Sequence, residues 1–191
     1  MAAQADTASQ LLDAAQVLVQ RRGYNAFSYK DLAETVGIRT ASIHYHFQAK
    51  ADLGQALMGR YLAELNRSLA EIDRTSRSQR SKLRSFIDLY RQTETRGAVC
   101  LCGSLASDQE TLPENLQHAV SAYLHRAEGW VASTLKQGVQ DGEFVVQGKP
   151  GQTASTLVAS LQGALIVSRV RGGASVVDDV QRTFLAALRT P

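Results

Sequence analysis

Residues 40–50 read TASIHYHFQAK, a short stretch dense in groups that exchange hydrogen bonds. On a helix turning about 100° per residue, Ile43 and Phe47 share one face, while Ala41 and Tyr45 point the opposite way with Ser42 and His44 beside them. One face is core. The other offers a small residue, hydroxyls, an imidazole and a phenol, which together can approach a polar surface closely. His44 and His46 do not form a metal site, because their i, i+2 spacing turns the imidazoles about 200° apart. The chemistry is that of recognition, and no metal or cofactor is expected.

A second group with chemical potential is Cys100 and Cys102, one residue apart. Two cysteines make neither a disulfide framework nor a four-ligand zinc site. They read as inert packing first, thiol-based sensing second and metal binding third, since a reactive thiol needs thiolate character that sequence does not display. A small helical enzyme using Cys100 as nucleophile and His118 or His125 as base is a remote alternative. The residue types are present, but no recognised arrangement of nucleophile, base and orienting group is.

The elements that hold these residues are helical. The chain has 191 residues, 44% hydrophobic and 20% charged, with three prolines, enough to bury a core without disulfides or metal. The net charge of +3 is compatible with a polyanionic partner and does not identify one. The start lacks the features of a signal peptide, and no run approaches the roughly 20 apolar residues of a membrane span, so a cytoplasmic protein without membrane contact is expected.

Leu11, Ala15 and Leu18 mark a first helix after a polar tail, closed at Gly23. Ser28 with Asp31 caps a second from about residue 29, ended by Gly37. Ile38 leads into the stretch quoted above. Helix, a short turn containing glycine, then helix is the spacing of a helix-turn-helix, whose second helix lies in the DNA major groove. Lys50 opens a long amphipathic helix, followed by helices around Leu83–Tyr90 and from Pro113 to the Asp141-Gly142 stop. GEFVVQGKPG is a connector with at most a brief extended piece. VASLQGALIVSRV is apolar almost all round, and Ser175 with Asp178 starts a last helix. Together these two predict a homodimer built as a four-helix bundle.

The run RRGYNAFSYKDLAETVGIRTASIHYHFQAKADL resembles the TetR family of bacterial one-component repressors. The likeness rests on Gly23-Tyr24, the A-x-x-x-G turn from Ala33 to Gly37, and the H-Y-H-F-x-x-K run from His44 to Lys50. It implies an all-α protein of about nine helices, with a three-helix helix-turn-helix DNA-binding domain over 1–50 and a helical effector-binding and dimerisation domain over 51–191. It implies DNA contacts by Ser28, Tyr29 and Lys30 at the start of the second helix, base-facing positions at Arg39, Thr40, Ala41 and Ser42, and phosphate and groove contacts by His44, Tyr45, His46 and Lys50. Family members commonly carry Gly at Ala41 and Tyr at His44.

A ligand cavity for a small-molecule effector is implied too, with Phe86, Tyr90, Cys100, Cys102, Tyr123 and Trp130 as candidate lining. CLCGSLASDQETLP is similar to a branch of the family that senses electrophiles and small unsaturated acids; Cys100 aligns with that branch's cysteine and Cys102 is an addition. The expected function is a ligand-responsive repressor that binds a palindromic double-stranded operator as a dimer. The alternative is a helical interaction or sensor protein that has lost sequence-specific DNA binding.

Overall fold

The computed structural model describes residues 2–172 and 175–189, with side chains from residue 7 onward. Among the described residues the helices run α1 (Ala2–Arg22), α2 (Tyr29–Val36), α3 (Thr40–His46), α4 (Lys50–Thr75), α5 (Gln79–Thr95), α6 (Leu101–Ala106), α7 (Glu114–Gln140), α8 (Pro150–Arg171) and α9 (Val176–Ala187), with a 3₁₀ turn at Gln109–Thr111. The fold is all-helical, as expected. The extended piece in the connector is one bridge, between Val145 and Arg189.

Helix α1 is longer than its apolar row predicts. It takes in the residues read as a polar tail, because alanine and glutamine dominate residues 2–10 and both favour helix. Its end and the start of α2 follow the local signals. Gly23 takes φ 95°, and Ser28 and Asp31 form a reciprocal capping box. Gly37 adopts φ 77° and closes α2 with its N–H on Ala33 O, a left-handed conformation that costs a side-chain-bearing residue about 1–2 kcal/mol.

The described residues pack as two compact units, and these do not divide at residue 50. The first holds the residues up to Ala63 together with Leu101–Ala122. A three-helix segment of about 50 residues buries only marginal apolar surface alone. Here Leu11, Leu18, Leu32, Ile43 and Phe47 share their unit with buried Leu53, Leu57, Leu101, Leu105 and Leu116. Gly54 permits this packing: a Cβ there would lie 2.9 Å from Leu116 Cδ2 and 3.2 Å from Tyr24 Cε2.

The second unit comprises Glu64–Cys100 and the chain from Tyr123 onward. In it α5, α8 and α9 pack on one another, and α5 holds α9 at both ends. Arg80, in the first turn of α5, donates to Leu185 O and Leu188 O at the end of α9. Glu94, in the last turn of α5, accepts from Ser175 Oγ, Val176 N and Val177 N at the start of α9. The two helices are therefore antiparallel. The carboxylate meets the positive end of the α9 dipole and the guanidinium the negative end. Burial pushes the Glu94 carboxyl upward, but its hydrogen bonds from Ser168, Ser175 and the two amides outweigh that and hold it below the usual value.

Helix α8 corrects one expectation: by length and a mean hydropathy of 1.2 over its most apolar stretch, Pro150–Arg171 is long and apolar enough to cross a membrane. One side buries Leu157, Val158, Leu161, Ala164 and Leu165, and the other exposes Ile166, Val167 and Val170, the last by 83%.

Candidate nucleic-acid interface

The division of α3 into two faces is built as the sequence predicts. Ile43 is fully buried and Phe47 8% exposed, while Tyr45 is 71% exposed. Arg39, Ala41, Ser42 and His44 stand exposed beside Tyr45, with Thr40 and His46 half-buried. At the start of α2, Ser28 and Lys30 are exposed as well. The outward face thus combines Lys30 and Arg39 as fixed positive charges with hydroxyl, imidazole and phenol groups. Such a set can meet phosphates and base edges in one groove.

Several of these side chains have prior commitments. The Ser28 hydroxyl caps α2 through Asp31, and its hydrogen bonds hold the Asp31 carboxyl below the usual range. His44 Nδ1 lies 3.1 Å from Gln48 O. A carbonyl only accepts, so Nδ1 is the donor in this contact.

Tyr29 was expected to touch DNA, but its half-buried phenol donates to Phe47 O at 3.0 Å and its ring meets His44 edge-on at 4.9 Å. Burial, assisted by Asp52 and Tyr24, pushes its pKa up to about 12. Tyr29 fastens the start of α2 to the end of α3.

Lys50 needs the larger correction. It was expected to anchor a phosphate, but its ammonium turns inward and donates to Tyr24 O and Phe27 O, both at 2.5 Å. It also lies 4.6 Å from the Tyr24 ring centroid and 4.2 Å from that of Phe27. Carbonyl oxygens and aromatic faces meet the needs of a partly desolvated cation. Burial pulls the ammonium below the usual lysine range, against the opposing pull of Asp108 and Asp31. Tyr24 OH returns a bond to Lys50 O at 3.0 Å, so this lysine ties the start of α4 to the loop before α2.

The residues expected to line an effector cavity are packed. In the second unit Phe86 stacks on Trp130 at 5.6 Å and meets Tyr90 at the same distance, and Trp130 Nε1 donates to Asp73 Oδ2 at 3.0 Å. Cys100 and Tyr123 are buried in that unit. Cys102 lies in the first unit, where its thiol donates to Val120 O at 3.4 Å. His118 and His125 are exposed. None of the six lines the open groove of about 580 Å³ along α8 and α9, which is bordered by Thr156, Leu157, Val180, Thr183, Phe184 and Leu188. Aromatic residues at helical spacing fill a core as readily as they line a pocket, and the sequence pattern is the same for both.

Sequence reasoning missed Asp108, whose carboxylate accepts the Tyr24 N–H at 2.9 Å across 84 residues of chain. No local pattern signals so distant a partner.

Comparison with known proteins agrees with this geometry. Residues 11–57 match the family described as bacterial regulatory proteins, tetR family, and residues 67–184 match the tetracyclin repressor-like C-terminal domain. The chain is 26% identical over 151 residues to the probable HTH-type transcriptional regulator ArpR of Pseudomonas putida, covering 74% of this chain and 72% of that one. It is 23% identical over 168 residues to the transcriptional regulator AcuR of Cereibacter sphaeroides, covering 85% and 76%. A crystal structure of a TetR-family transcriptional regulator from Agrobacterium tumefaciens superposes with a TM-score of 0.93 at 31% identity, over 97% of this chain and 99% of the other. With both domains matched and a helix-turn-helix whose outward face is free of the core, the chain belongs to the TetR family of DNA-binding transcriptional regulators.

Proposed function

We propose that the chain acts in the cytoplasm as a homodimeric repressor that binds a palindromic double-stranded operator and leaves it when a small-molecule effector binds. The observation that carries the reading is the outward face of α3, where Tyr45 is 71% exposed while Ile43 on the opposite face is fully buried. Exposed Lys30 and Arg39 stand beside that face, so hydroxyl, phenol and fixed positive charge lie together on the helix whose spacing suits a major groove.

The dimer is supported by α8 and α9. Exposed Ile166, Val167 and Val170 form an apolar strip on α8, and Ala159, Ser160 and Gly163 are small enough for close helix approach. Two-fold symmetry then presents two copies of α3, which fit successive major grooves at about 34–36 Å or a multiple of that repeat. An effector that prefers the other arrangement by about 1–3 kcal/mol changes operator affinity some 5–150-fold. In the second unit, its entry near Phe86, Tyr90, Tyr123 or Trp130 would require the aromatic stack to part. Burial of Cys100 and Cys102 favours packing over sensing.

The test is selection from a random duplex pool at two salt concentrations. Recovery of a palindrome with half-sites spaced for a dimer is expected. Weak, salt-sensitive recovery with no sequence preference would favour the lost-reader alternative, with Ala41 and His44 as its cause.

A further inference from the structure

Side chains of α6 and the turn after it reach the end of α1 and the loop that leads into α2, all within the first compact unit. Ser104 Oγ donates to Val19 O at 2.7 Å, Asp108 Oδ2 accepts from Tyr24 N–H at 2.9 Å, and Asn25 Nδ2 donates to Thr111 Oγ1 at 2.7 Å. Lys50 holds the same residue by its carbonyl, and Tyr24 OH bonds back to Lys50 O. Tyr24 therefore has a carboxylate on its N–H and an ammonium on its C=O. Each charge sits at the end of the residue that it stabilises, and both bonds are charge-assisted.

From this grip a connected path leads to the reading face. The held loop runs through Phe27, whose carbonyl Lys50 also takes, directly into the Ser28 cap of α2. The first residue of α2, Tyr29, holds Phe47 O at the end of α3. Gly23 next to the grip takes a φ of 95°, which glycine adopts at no steric cost, so the course of the chain into Tyr24 is set by the hydrogen bonds on Tyr24 and not by residue 23.

We propose that Asp108 is a positioning residue for DNA reading: through the Tyr24 peptide it fixes residues 23–27, and through them the placement of α2 and α3, although it lies far outside the helix-turn-helix in sequence. The role rests on the DNA-reading function proposed above. It differs from a phosphate or base contact, because Asp108 is an acid and acts through backbone.

The experiment uses the full chain and two readouts, amide hydrogen exchange without DNA and binding to the duplex that the wild type selects from a random pool. Asp108→Ala should speed exchange across residues 23–29 and 40–47 while leaving α8 and α9 protected. It should weaken binding about tenfold, because DNA must then re-order a loosened loop and the helices behind it. The slope of log K against log salt should stay unchanged, since no phosphate contact is lost.

Asp108→Asn, which keeps an oxygen acceptor, should recover most of the affinity. Combining Asp108→Ala with Lys50→Ala should cost less than the two separate losses together, because both side chains grip one peptide. If Asp108→Ala does not fold, Asp108→Glu, which displaces the carboxylate by one methylene, carries the same expectations. Unchanged exchange at 40–47 overturns the role, and so does faster exchange spread evenly over the chain. A wild type that selects a duplex which Asp108→Ala binds equally well overturns the positioning role alone. A wild type that selects nothing overturns the DNA-reading function, and the positioning role falls with it.

Discussion

Lys50 near a helix N-terminus has the chemistry of a phosphate anchor, but two backbone carbonyls and two aromatic faces satisfy its charge from inside. Its removal should weaken binding to every duplex, since it steadies the reading helices, and should leave the salt dependence unaltered. Titration of Lys50→Ala with salt checks this, and a slope reduced by about one would return the side chain to phosphate. Tyr45 and Ser42 stand open on α3, and substituting either with alanine should change which sequences are selected more than how tightly DNA is held. Repeating the random-pool selection with each variant measures that, and an unchanged preference in both would move base reading off α3. These outward positions were legible because helical periodicity alone separates them from Ile43 and Phe47. The inward turns of Lys50 and Tyr29 were not, because they depend on carbonyls supplied by other elements.

Among the elements, local caps were legible and remote ones were not. Ser28, Gly37 and Ser175 announce helix ends by residue type. The clasp of Arg80 and Glu94 on α9, and Glu143 on the first amides of α5, come from helices and loops distant in sequence. Glu94 is held below its usual carboxylate range when folded, so its stabilising contribution is complete above the unfolded value and disappears as pH falls through the folded one. Glu94→Gln should therefore destabilise the chain at neutral pH and reduce the gap to wild type as the solution is acidified. Thermal melts across that range test the sign, and a gap that widened in acid would contradict it. Gly138 depends on a partner close in sequence, because a Cβ there would lie 2.1 Å from Phe144 Cζ, just beyond the end of α7. Gly138→Ala should cost about 1–3 kcal/mol of stability by overpacking, and denaturant unfolding would read the loss.

For the whole molecule, the helix-turn-helix was legible because its signals are local and ordered, whereas the compact unit around it was not. Leu101–Ala122 joins that unit, and Glu64–Cys100, which begins inside α4, interrupts it in sequence, so no compositional break marks the boundary. The surface of α8 was foreseen in kind, since its apolar residues exceed what one buried side requires. Val170→Asp should place a charge in the proposed dimer seam, giving monomers by light scattering that no longer retain an operator; a stable dimer would move the interface elsewhere. The stacked Trp130 has a practical consequence. It is the chain's single tryptophan, whereas its six tyrosines include Tyr24, Tyr29 and Tyr45 in the first unit. Buried against Phe86 with its indole N–H on Asp73, it is an intrinsic fluorophore reporting on the second unit alone. Selective excitation at the red edge of its absorption would let unlabelled protein reveal whether a compound enters that unit, and whether the two units melt together or in sequence.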